Sequence, residues 1–331
     1  MMQEFEKPAV DPTQQLELLK QRGLLVFDEP RALCFLQAVS FFRLTPYMRP
    51  FQLIDHSHTF KQGTGFKQLS RLYDFDRRLR LLVMDGIERT EVAVRSRISN
   101  IIGVQEGAHW YLERQYFNQD YDHQRLLNTI AKKQQDALQD YQRECERIER
   151  LQNVTTAQKD SLKLRRQAES YARHYTLSYD RPALMPNWAM LEELTLGELS
   201  HLYKGLARDT DKKRIAREFD LPAPLLESWL HTLTIVRNIC AHHARLWNRE
   251  LGVRPAQPKQ KTFVWAVYLQ SSQHHTRIAV LLAILQHFMQ RVSPNTSWHQ
   301  RLFDLFDEFP EIELHAMGMP HNWRDDVFWR V

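Results

Sequence analysis

At 331 residues, with a formal net charge of +5 and a pI near 9.0, the chain is long enough to bury a core in one large domain or two smaller ones. Three cysteines at wide spacing, Cys34, Cys145 and Cys240, argue against a disulfide framework and against a paired-cysteine metal site. No run approaches the roughly 18 uncharged apolar residues of a membrane span, and "MMQEFEKPAVDPTQQ" has no cationic start leading into an apolar stretch, so a cytoplasmic protein is expected.

Only ten glycines punctuate the sequence, and apolar residues recur at three and four positions more often than at two, which predicts an all-α fold. The first 12 residues read as a loose lead-in. Asp11 or Thr13 then offers a helix cap, Gly23 a stop, and a second short helix follows Pro30. From Phe75 through Leu79, Leu82, Val83, Ile87, Val94, Ile98 and Ile101 runs one apolar stripe, a helix of about seven turns expected at the centre of the core. Glu91 interrupts it.

Residues 124 to 173 read as two charged helices with a polar break near 153 to 156, an arm laid over the core whose thin seam is Ile130, Ala137, Tyr141, Cys145 and Ile148. After Pro182 and Pro186 the chain restarts, with Thr195 and Glu198 as a capping box and a helix to about Ala207. The next helix buries Leu226, Trp229, Leu230, Leu233, Val236, Cys240 and Ala244. Residues 262 to 291 form a further helix or pair, and the tail from Trp298 mixes a short helix with aromatic loops.

Charge is unevenly spread. Residues 237 to 261 hold six cations against Glu250, residues 202 to 217 six against Asp209 and Asp211, and residues 302 to 327 seven acids against Arg324. A positive pole beside histidines suits a polyanion such as nucleic acid, the plainer alternative being a solvated face.

The stretch "VRNICAHHARLWNRE", residues 236 to 250, carries the chemistry. On an ideal helix Asn238 and His242 share a face, whereas Arg237 lies about 140° from His242, a gap that a long side chain or a loosened helix must bridge. An imidazole moves protons near neutral pH, and a guanidinium holds phosphoryl oxygens through paired hydrogen bonds. Together they suit attack by a ribose 2′-hydroxyl on its own phosphate, with Asn238 orienting either group; DNA lacks that nucleophile.

Zinc on Cys240, His242 and His243 has suitable atoms, but adjacent histidines on a helix diverge by about 100°, and the pair at 274 and 275 has no better spacing. Glu91 has two accounts: a surface pair with Arg95, or an embedded carboxylate orienting Arg237 or His242.

"RNICAH" fits the R-x4-H pattern of HEPN (higher eukaryote and prokaryote nucleotide-binding) domains. Together with "FFRLTPYMRPF" at 41 to 51, "YDFDRRLRLLVMDGIERTEVAVRSRI" at 73 to 98, "MPNWAMLEELTLGELSHLY" at 185 to 203 and "MGMPHNW" at 317 to 323, the stretch resembles the Abi-like family of bacterial abortive-infection proteins. Phe42 stands where a tyrosine is more usual and Met185 where a leucine is.

The resemblance implies one helical domain over residues 1 to 331, with a HEPN core at about 74 to 102 and 186 to 291, an arm at about 120 to 180 and a cap over 292 to 331. It also implies a homodimer with facing motifs and an antiphage, metal-independent endoribonuclease needing no cofactor. Arg237, His242 and Asn238 would be catalytic, with Glu91, Arg95 and His243 in support. RNA is the expected substrate, a small noncoding RNA a further partner, and Arg245, Arg249, Lys212, Lys213 and Arg214 the contact residues. The competing reading is an RNA-binding scaffold that holds a small structured RNA without cutting it.

Overall fold

A computed structural model describes residues 8–55, 57–259, 263–270 and 275–330. It is all-α: among the described residues β pairing is confined to three isolated bridges, such as Phe117 with Leu206. Two helices, α1 (Pro12–Gln21) and α2 (Glu29–Val39), start at Asp11 and Asp28, whose carboxylates accept the backbone N–H three residues on. Gly23, at φ +89°, turns the chain between them. With α3 (Phe41–Met48) they enclose a small core of Leu16, Leu19, Leu36 and Leu44 that leans on the start of the long helix.

That helix, α4 (Phe66–Ile98), extends more than two turns upstream of the expected Phe75, because Phe66, Leu69 and Leu72 continue its buried stripe into the N-terminal module. It then loosens into a π turn, Ser99–Gly103, and the one-turn α5 (Val104–Glu106). The arm is α6 (His123–Glu149), α7 (Thr156–Ala168) and α8 (Tyr171–Ser178), with its break where the polar residues place it and a Thr155–Gln158 capping box at the restart.

Next come α9 (Asn187–Glu193), α10 (Leu196–Gly205), α11 (Asp209–Arg217) and α12 (Ala223–Ala241), then α13 (Ile278–Val292) and α14 (Trp298–Glu308). Helix α13 is buried on every side through most of its length, so α4, α12 and α14 can close around it. Gly86 permits the closest approach: a Cβ there would stand 3.2 Å from the Trp298 indole nitrogen, which donates to the Leu82 carbonyl at 2.9 Å.

His287 sits in this core, its Nε2 2.8 Å from the Phe219 carbonyl and its ring stacked on Phe263. Burial, helped by Arg291, lowers its pKa to about 4. Between pH 6.5 and 4 the unfolded chain therefore binds a proton that the folded chain does not. Stability is complete above pH 6.5 and falls as pH drops towards 4, by up to about 3 kcal/mol. Urea unfolding at pH 7.5 and 4.5 should show this loss, and a His287→Gln variant should show a shallower slope.

Candidate functional site

Helix α12 stops inside the sequence motif. His243 adopts a left-handed conformation, φ 54°, so its N–H bonds the Cys240 carbonyl at 2.9 Å and the Ala244 N–H reaches the Ile239 carbonyl at 3.0 Å, closing the helix end. His242 is the C-cap, and its N–H still bonds the Asn238 carbonyl at 3.0 Å. Ala244, read from sequence as part of the buried helical stripe, lies beyond the helix and is half-buried, because the left-handed turn at His243 redirects the chain.

The redirected chain is anchored by a carboxylate. Asp76 of α4, fully buried, accepts the backbone N–H groups of Leu246 at 3.0 Å and Trp247 at 2.6 Å, the Tyr47 hydroxyl at 2.5 Å, and the Arg80 guanidinium. Burial pushes its carboxyl above the ordinary range, against the pull of Arg80 and the three hydrogen bonds. Arg43 of α3 adds a donor to the His243 carbonyl at 2.8 Å, and Arg245 donates to the Pro46 carbonyl at 3.4 Å. The N-terminal module thus holds the backbone on which the histidines stand.

Asn238 and His242 are exposed, and Arg237 is half-buried, without an ion pair among the described residues. Glu91 forms the pair expected with Arg95, one turn on, but largely buried rather than on the surface, and among the described residues no hydrogen bond joins it to Arg237 or His242. It lies within electrostatic reach of Arg237. Burial raises its pKa while Arg95 and Arg237 draw it down. Arg95 also bonds Glu192 at 3.1 Å and the Leu194 carbonyl at 2.7 Å, tying α4 to the turn before α10.

His243 serves the helix end through its backbone. Burial keeps the Arg245 pKa below the ordinary arginine range, with a smaller push from the like charges of Arg249 and Arg49. Arg49 therefore joins the two arginines named from sequence, a neighbour that no spacing rule reveals because α3 brings it from 196 residues away.

The second basic segment lies elsewhere. Lys212 folds onto the Lys204 carbonyl at 2.6 Å and stands 4.0 Å from Glu227, about four turns of α12, or about 22 Å, before His242. Arg214 bonds Gln105, and Lys213 is exposed on the same short helix. The acidic tail is partly neutralised: Glu311 and Glu308 pair with Arg71 and Arg78 of α4, and Asp307 with Arg324.

Cys240 is buried, its thiol pushed up to about 12 by that burial, while His242 and His243 face solvent, so the three do not converge. Among the described residues no three His, Cys, Asp or Glu side chains group to hold a metal ion. His275 bonds the Leu269 carbonyl at 2.8 Å; His274 and Lys261 lie outside the described residues. No described helix is long and apolar enough to cross a membrane.

Residues 34–248, about two thirds of the chain, match the family model described as Abi-like protein. The chain belongs to the Abi-like protein family. The match opens within α2 and closes one residue past Trp247, so the Abi-like region of this protein takes in α3, α4 and the anchored end of α12. No curated protein and no solved structure matches the chain.

Sequence reasoning missed the Tyr47–Asp76–Arg80 cluster that supports the motif. The signal was present: in "YDFDRRLR" an aspartate follows Phe75 on the core-facing side, with an arginine four residues later to neutralise it.

Proposed function

We propose that this Abi-like protein is an abortive-infection endoribonuclease that acts as a homodimer and needs no metal ion for the chemical step. His242 takes the proton of a ribose 2′-hydroxyl, the freed oxygen attacks the adjacent phosphorus, and the P–O5′ bond breaks as the 5′-oxygen takes a proton from solvent, to which the His242 imidazolium returns its own. The products are a 2′,3′-cyclic phosphate and a 5′-hydroxyl. Arg237 holds the non-bridging oxygens as charge builds on them, and Asn238 orients the phosphate. The observation that carries this reading is the end of α12, where an imidazole and an amide stand exposed on a backbone anchored by Asp76, beside an arginine that forms no ion pair among the described residues.

RNA incubated with the full chain in excess chelator should be cut, and a single 2′-deoxynucleotide at the cut position should block cleavage there by about 100-fold or more. Tight binding of intact RNA with no cleavage would support the scaffold reading instead.

A further inference from the structure

Two cavities of about 540 Å³ each lie between the N-terminal module and α4, and they meet at Tyr73 and Arg77, which line both. The first ends against the last turn of α12, where Cys240, Ala241 and His243 form one wall and Arg43 and Arg80 face them; Arg237, Asn238 and His242 lie beside this wall and do not line the cavity. The second continues along α4 past Arg31 and Lys67 to Phe27. Taken together, from Phe66 to Met84, the two cavities follow α4 for about 27 Å, room for on the order of eight nucleotides at the stacked spacing of about 3.4 Å.

Resting on the ribonuclease reading, we propose that this groove is the binding track for the single-stranded RNA flanking the cut. Two features select that occupant. Arg31, Arg43 and Lys67 line the groove without an ion pair among the described residues; no described carboxylate lines the α12 end, and of the three in the far half, Asp28, Asp74 and Glu308, the last two are paired with Arg77 and Arg78. Aromatic surface interleaves with these charges: Tyr73 stands at the junction, and Phe27 is 91% exposed at the far end. Cationic side chains that follow a backbone, alternating with rings on which bases stack, are what an unpaired strand requires, whereas a duplex hides its base faces.

The test uses the full chain carrying His242→Ala, so that RNA survives, and reads fluorescence anisotropy of a labelled 12-nucleotide single strand. Arg31→Glu with Lys67→Glu should weaken binding at least about 10-fold and flatten the salt dependence by about 1.4 in log–log slope. Phe27→Ala should cost about 5-fold or more. The control pair Lys132→Glu with Arg147→Glu, on the arm, should change affinity less than about 2-fold.

The groove assignment is overturned if both reversal pairs weaken binding equally, if a duplex of the same sequence binds as tightly, or if polyglutamate competes as well as RNA. The two proposals fail separately. Groove-dependent binding by a wild-type chain that cuts nothing removes the nuclease and leaves the track; normal cutting by the Arg31→Glu, Lys67→Glu chain with unchanged KM removes the track and leaves the nuclease.

Discussion

Asp76→Ala should lower the free energy of unfolding by about 3–5 kcal/mol, the cost of stranding a buried charge and buried backbone donors. The Arg80 and Asp76 side chains are 6% and 0% exposed, so water cannot replace the lost partner. The Leu246 and Trp247 N–H groups and the Tyr47 hydroxyl lose their acceptor at the same time. Asp76→Ala combined with Arg80→Met should lose less than Asp76→Ala alone, because the unpaired cation is gone. Arg77→Ala, which breaks an exposed pair with Asp74 at 3.1 Å, should cost under about 1 kcal/mol. Urea unfolding of the four chains reads these differences, and an Asp76→Ala chain within about 1 kcal/mol of wild type would remove the anchoring role.

The second large effect tests the proposed dimer, in which motifs of two chains would share work. Arg237 lies on the part of α12 beside Glu91, whereas His242 caps the helix end and points about 140° away on an ideal helix. If facing motifs of a dimer make one composite site, with Arg237 from one chain and His242 from the other, Arg237→Ala and His242→Ala chains should each lose about 1,000-fold or more in cleavage rate. Mixed after unfolding and joint refolding, they should recover about a quarter of wild-type activity: half the random dimers are mixed, and each has one intact site of two. A mixture as inactive as its components would mean that each chain uses its own pair.

Much of the fold was legible because its signals are local. The buried stripe of α4, the Asp11 cap, the Thr195–Glu198 box and the break in the arm each depend on residues a few positions apart. The extension of α4 to Phe66 was not legible from the main stripe, since those turns pack against a separate small core. The end of α12 was obscured because a histidine, not a glycine, takes the left-handed position after the cap. At the site, Arg237, Asn238 and His242 could be named from their spacing. Their supports could not, because Asp76 and Arg43 reach the motif from 171 and 200 residues away through tertiary packing, and Tyr47 acts on it only through Asp76. The likeness of the two basic segments was compositional, and only the three-dimensional path separates Lys212 from His242.

The most direct measurement is the chemistry of the RNA ends left by the purified full chain in excess chelator. Fragments carrying 2′,3′-cyclic phosphate and 5′-hydroxyl termini, formed by wild type and absent with His242→Ala and with Arg237→Ala, are the predicted result. Fragments with 5′-phosphate ends, or equal cleavage by all three chains, would contradict it.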